Sequence, residues 1–428
     1  MKRNLLGLLL CSSLLTQAQL SPVITSWIQN PDTTLSANRT SVPISAGSST
    51  YITIPSNCLK VQYSATNVYV SCTCIPGYSV GPWNANPNVP TNENFVYKFT
   101  LTPQKNNGTL TKIGNGHIGV WKNGVSMFNA DDAQYVNSVW SRNAYFFEGN
   151  SFDNCLGHPA PGGEYHHHVS PTCLYDQTDS THHSPIIGYM FDGYPIYGAY
   201  AYADTAGGGG IKRMRSGYRL RADQSRTTKP DGTTASTAGP AVSSTYPMGC
   251  LLWDYEWAAG VGDLDSRNGR YCVTPEYPQG TYAYFVTLDG ALAPQFPYTP
   301  YIDYYGIVQS GNTPMGPGNP GGHNTITGTT TVYVDTVATV NGINGTSEIS
   351  FRIVPNPTQG YVYVYMDNNS SNNVAAKLYD EKGALLQDLQ YMQPTIAYSI
   401  DLTKYPAGVY LLHMNDGKQE VVRKIVKQ

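Results

Sequence analysis

The sequence predicts a mainly β protein: a large β-rich domain with long loops and few short helices, followed by a small C-terminal β-sandwich. Three observations predict it. Tyrosine reaches 34 and glycine 42 of 428 residues, a composition that suits short strands and turns. Period-two alternation recurs in short runs bounded by Gly, Pro or Asn. Long amphipathic helical patterns are hard to find anywhere in the chain.

Taken in order, the first element is an expected signal peptide over residues 1–18. Lys2-Arg3 form its basic start, Leu5 to Leu15 its apolar run, and Thr16-Gln17-Ala18 its cleavage site. The apolar run is shorter than the ~20 residues that span a bilayer. Cys11 follows Leu10, a poor setting for a lipoprotein site, and cleavage removes it. No later segment is apolar enough to cross a membrane, so a soluble or tethered mature chain is expected. Residues 19–309 then read as one large domain. Strands are expected at Tyr51-Ile52-Thr53-Ile54, at Val68-Tyr69-Val70 and from Thr281 to Val286. Gly207 to Gly210 forms a loop and no phosphate cradle, because Ile211-Lys212-Arg213 follows it. Residues 310–346, rich in Gly, Thr and Pro, are expected as a linker. Alternation returns over 347–428, in Tyr361 to Tyr365, Ala376 to Tyr379 and Val409 to Leu412, with a hairpin turn at Asp380-Glu381-Lys382-Gly383. That spacing predicts the sandwich.

The formal charge is -3 and only 13% of residues are charged, so there is no electrostatic case for nucleic acid or an anionic membrane as partner. Export leads to an oxidising compartment, where cysteines pair by default. Cys155–Cys173 and Cys250–Cys272 are the natural local pairs. Cys58 with Cys72 or Cys74 makes a third and leaves one thiol over.

Chemistry concentrates in one place. Of nine histidines, six fall between His158 and His183, including His166-His167-His168. In a strand, His166 and His168 share a face with ~6.5–7 Å between their Cα atoms, while Tyr165 and His167 face the other way. Two imidazoles so placed can converge on one ion, with His158, His183 or Asp192 as a third ligand; Pro159 and Pro185 stiffen the loops of the two histidines. Nitrogen ligands suit zinc or copper(II), whereas calcium and magnesium prefer oxygen. The competing reading has these histidines hydrogen-bonding tyrosines and backbone in a polar core. A structural zinc site from Cys155, His158, His166 or His168 and Cys173 competes with the Cys155–Cys173 disulfide. Gly262 to Gly269 lacks the closing Glu of a calcium loop and reads better as a turn capped by Asp side chains. Glu164, Asp192, Asp254, Asp263, Asp265 and Glu276 cannot be paired as catalytic carboxylates from sequence, and no Gly-x-Ser-x-Gly or His-Glu-x-x-His pattern occurs. Tyr194, Tyr197, Tyr200 and Tyr202 suit core packing better than a sugar platform.

Two resemblances add to this reading. Val354-Pro355-Asn356-Pro357-Thr358-Gln359-Gly360, Leu378 to Gly383, Asp401-Leu402, Tyr405-Pro406-Ala407-Gly408-Val409-Tyr410 and the basic end Lys424 to Gln428 together resemble the C-terminal sorting domain of the type IX (Por) secretion system. That resemblance implies the secretion machinery as partner and a secreted or outer-surface location reached through the periplasm. Gly81-Pro82-Trp83, Phe128 to Ala133, Asp153 to Pro159, Tyr165 to His168, His183 to Tyr189, Phe191 to Gly198, Cys272 to Pro278 and Gly280 to Phe285 resemble the YHYH-domain proteins, over about residues 60–310. His167 stands where the signature has a second tyrosine, and Ser266-Arg267 where relatives often carry Glu-His. The resemblance implies where a site lies and names no reaction. Three classes of function follow: a metal-binding protein or metal-dependent enzyme, an adhesion module or one binding a surface glycan or other small ligand, or a structural surface protein.

Overall fold

The computed structural model describes residues 20–30, 54–314 (except 79, 84 and 85) and 321–334. It also describes 351–427, except 355–357, 359, 367–373, 393–397 and 416–419. The expected signal peptide, residues 51–53 of the first expected strand and residues 315–320 and 335–346 of the expected linker lie outside the described residues. The chain forms two compact units, Met1–Asp335 and Thr336–Gln428. Strands dominate both, and the α-helices among the described residues, Pro22–Thr25 and Ala144–Phe147, have four residues each.

The first unit is built on two sheets. One is antiparallel, in the order Thr331–Tyr333, Cys58–Tyr63, Asn67–Cys72 and Phe95–Thr100. The other has eight strands, in the order Gly269–Cys272, Thr281–Phe285, Pro195–Tyr197, Ile186–Met190, Gly119–Trp121, Ser126–Met127, Tyr165–His167 and His158–Pro159. Alternation decides which side chains enter the core. Phe95, Tyr97 and Phe99 are buried, while Val96, Lys98 and Thr100 are more exposed. From the larger sheet, Val120, Trp121, Ile187, Tyr189, Ile196, Tyr282 and Tyr284 join the same apolar cluster. Trp27 is wedged between Phe99 and Tyr189, with ring centroids 5.2 and 5.4 Å away. Each such side chain contributes ~1.5–3 kcal/mol on burial.

Residues 310–314 and 321–334, from the expected linker, pack on this unit. Thr331–Tyr333 pairs with Val61–Tyr63, and Asn312 exchanges side-chain hydrogen bonds with the Lys98 backbone at 2.9 and 2.6 Å. The composition there lacks core-forming residues, but backbone pairing along a sheet edge needs none.

In the second unit, two sheets share one core. Phe351–Val354, Tyr361–Met366 and Tyr398–Asp401 form the first. Leu385–Met392, Val374–Asp380, Gly408–Asn415 and Glu420–Lys427 form the second. Val362, Val364, Leu378, Ile400, Leu412 and Ile425 are among the residues buried between them. The expected hairpin turn is present: Asp380 Oδ1 accepts from the Lys382 and Ala384 amides at 2.9 and 2.8 Å, and Gly383 takes φ +84°.

Of the expected disulfides, Cys155–Cys173 forms, with Cα atoms 5.2 Å apart. Cys250–Cys272 does not. Cys250 packs with Trp140 and Leu251 under a long loop, whereas Cys272 lies in the main core on a strand, opposite Thr281. Nearness in sequence misled because that strand belongs to a different packing layer. Cys58 and Cys72 oppose each other on neighbouring strands, and both, like Cys74, are free thiols.

Candidate metal centre

The edge of the eight-stranded sheet carries the histidines. His158–Pro159 runs antiparallel to Tyr165–His167, with His158 directly opposite His166. That register depends on a tight turn. Asp153 accepts from the Gly81, Cys155 and Gly157 amides and from the Tyr165 hydroxyl, folding the chain back so that His158 meets the strand. Gly157 is required at this bend, because a Cβ would collide with the Tyr165 hydroxyl and lie 2.7 Å from His167 Nε2. The disulfide then ties the two flanks of the histidine segment together.

Strand alternation sorts the histidines as expected. His166 and His168 share a face, and their Nε2 atoms are 3.0 Å apart. The Nε2 atoms of His158 and His166 are also 3.0 Å apart. The three nitrogens lie within 4.8 Å of one another, a group that could hold a metal ion. All three rings are buried, between 2 and 5% exposed. Phe128 stacks on His166 with centroids 3.9 Å apart, and Phe152 packs on His158 at 4.8 Å and on His168 at 6.2 Å. His167 points the other way, with Nε2 3.2 Å from the Tyr78 hydroxyl.

The second ring nitrogens fix the tautomers. His166 Nδ1 donates to the Glu164 carbonyl at 3.0 Å, and His168 Nδ1 to the Asn129 carbonyl at 2.5 Å. His158 Nδ1 sits 2.7 Å from Ser151 Oγ. The Ser151 hydroxyl already donates to the Glu148 carbonyl at 2.7 Å, so its oxygen accepts from His158. All three Nδ1 atoms therefore carry protons in the neutral rings. Burial, and next the neighbouring His168 and His167, push His158 down to about 3. Burial, followed by His158 and His168, pushes His166 well below the ordinary histidine range. Both are neutral at neutral pH, the form that ligates metals.

The three Nε2 atoms thus face one another, with lone pairs on those of His158 and His166. A carboxylate oxygen joins them: Glu148 Oε2 lies 3.3 Å from His168 Nε2 and 3.8 Å from His158 Nε2. Sequence reasoning missed Glu148, which follows Tyr145-Phe146-Phe147 with no periodic signal to mark it. It also missed Ser151 and Asn129, whose roles depend on the tertiary approach of their loops.

Two expected ligands lie outside this group. His183 packs against Tyr197 and Tyr202 at 5.0 and 5.1 Å, with Nδ1 2.8 Å from the Ser184 carbonyl. Asp192, fully buried, accepts from the Tyr284 hydroxyl at 2.7 Å, the Gly306 amide at 2.8 Å and the Tyr194 amide at 3.2 Å. Asp192 is satisfied by its own neighbourhood, whereas His183 pairs through Nδ1 alone and keeps a buried, unpartnered Nε2. The mixed cysteine–histidine zinc site is ruled out by the disulfide, which occupies both sulfurs. In the 262–269 loop, Asp265 caps the Arg267 and Gly269 amides, as the turn reading expects.

An open cleft of about 780 Å³ adjoins the centre, lined in part by Tyr145, Phe152, Tyr218, Tyr255, Phe296 and Tyr298. Phe152 belongs to both features.

Fold and site together define an all-β protein whose first unit carries a buried three-histidine group. Comparison with known families makes this specific. Residues 96–297 match the family model described as YHYH protein, and residues 352–428 match that of the secretion system C-terminal sorting domain. The chain therefore carries a YHYH domain followed by a type IX (Por) sorting domain, which implies the type IX machinery as partner and a secreted or cell-surface location. No curated protein matches the chain. No helix among the described residues is long and apolar enough to cross a membrane.

Proposed function

We propose that the YHYH domain of this exported protein binds one transition-metal ion through Nε2 of His158, His166 and His168. One observation carries the reading. Three buried nitrogens whose Nδ1 partners are fixed converge, with a carboxylate oxygen beside them. Acceptors 3.0 Å apart repel one another unless a cation lies between them, and buried polar atoms without partners are costly. Ligating histidines commonly donate their other ring nitrogen to a carbonyl or similar acceptor. Imidazole ligands favour zinc or copper(II). The expected signal peptide at 1–18 would deliver the chain to the periplasm, from which the sorting domain directs it outward.

The test is elemental analysis of the untagged mature protein beside His166→Ala/His168→Ala and His167→Ala. About one equivalent of zinc or copper is expected in the wild type and in His167→Ala, and none in the double variant. Metal well below one equivalent in the wild type after loading refutes the proposal. A second reading, glycan binding, draws on the aromatic cleft. It expects binding that survives the histidine changes and falls when Tyr145 or Phe152 is replaced.

A further inference from the structure

We propose that Glu148 is the fourth ligand of this centre and closes its coordination shell, so that the ion fastens the wall of the adjoining cleft and does not activate water. This rests on the metal-binding reading above. Taken in the order His166, His158, Glu148, His168, neighbouring ligand atoms are 3.0, 3.8, 3.3 and 3.0 Å apart. Ligands at 2.0–2.1 Å around a tetrahedral ion are separated by about 3.3 Å, and the Glu148 oxygen lies at that spacing from His168 and near it from His158. The Glu148 side chain is 28% exposed, yet Oε2 itself is buried and has no hydrogen-bond partner. A carboxylate oxygen held dry without a donor is among the costlier arrangements in a protein, and a metal ion relieves it.

The chain path gives the ligand its consequence. Glu148 caps the helix Ala144–Phe147, its amide donating to the Ala144 carbonyl at 2.8 Å. Three residues later Ser151 accepts from His158. Residues 148–151 therefore hold the centre at two points. That segment presents Gly149 and Asn150 to the cleft, and its flanks present Phe146 and Phe152. Sites with four protein ligands are typically structural, whereas catalytic sites keep a position open for water or substrate. A closed centre here pins one cleft wall, and the cleft is where a ligand would sit.

The experiment loads the untagged mature protein with cobalt(II), whose visible spectrum reports coordination, and compares wild type with Glu148→Gln and Glu148→His. The wild type is expected to show intense four-coordinate bands that azide leaves unchanged. Glu148→Gln is expected to bind about tenfold or more weakly with weaker bands, and Glu148→His, which restores a ligand, to recover both. Hydrogen exchange over 144–152 is expected to slow on loading in the wild type and not in Glu148→Gln. A band shift with azide in the wild type overturns the closed shell, a measurement that depends on no variant. Equal affinity and spectrum in Glu148→Gln overturn the ligand assignment. Failure of the wild type to bind cobalt, zinc or copper overturns the underlying metal reading, a separate outcome.

Discussion

Replacing both Cys155 and Cys173 by serine tests whether the bridge holds the histidine segment. The bridge closes a loop with a sequence separation of 18 that contains His158, the strand Tyr165–His167 and His168. Removing a cross-link over a loop of that length returns chain entropy worth about 3 kcal/mol to the unfolded state. The native fold retains other ties on the segment, namely the Asp153 hydrogen bonds and the pairing of Ser126–Met127 with His166 and His167. The variant is therefore expected to fold and to unfold at lower denaturant concentration with an unchanged slope. All six tryptophans precede residue 258, so fluorescence follows the first unit alone. Metal-free protein isolates the bridge from any ion. A reductant should shift the wild type by the same amount and leave the variant unmoved. A loss below about 1 kcal/mol, or an equal reductant effect on both proteins, refutes the reasoning; the latter points to a further bridge among the remaining cysteines.

Three further outcomes are expected. Gly157→Ala should destabilise the first unit by about 1–3 kcal/mol in denaturant titrations, because the added methyl meets the fully buried Tyr165 and the His167 ring. Arg226 is 1% exposed and grips Asp254 through two 2.7 Å hydrogen bonds. Arg226→Met should cost about 3–5 kcal/mol by leaving that carboxylate unpaired, and adding Asp254→Asn should restore part of the loss in the same titration. Complete burial pushes Asp192 up from 3.8 to about 6, despite hydrogen bonds from Tyr284 and the Gly306 amide. Because its folded value is raised, its contribution is full below pH 3.8 and is lost as pH rises through 6. Unfolding titrations of wild type against Asp192→Asn should show about 3 kcal/mol of that pH dependence; a flat difference between pH 3.8 and 7 rejects it.

The pairing of His166 with His168, and the outward turn of His167, were legible from a period of two, because alternation is a local property of an extended chain. Local too were the hairpin turn at Asp380–Gly383 and the Cys155–Cys173 bridge, whose partners lie close along the sequence. Composite motifs likewise identified both the YHYH domain and the sorting domain. Everything that chose among the remaining candidates was non-local. His158 joins the group because the Asp153 turn sets it opposite His166, while Asp192 finds partners elsewhere in the fold and His183 packs between Tyr197 and Tyr202. Cys250 and Cys272 are separated by layer, and residues 331–333 are held by edge pairing to a strand more than two hundred residues earlier. Glu148 enters the centre from a short helix whose sequence gives no sign of it. The sequence by itself determined the β class, the sorting domain and the face on which two histidines meet, since each depends on neighbours in the chain. Only the tertiary structure decided the third histidine, the tautomers and the carboxylate, since those depend on which loops the packed sheets bring together.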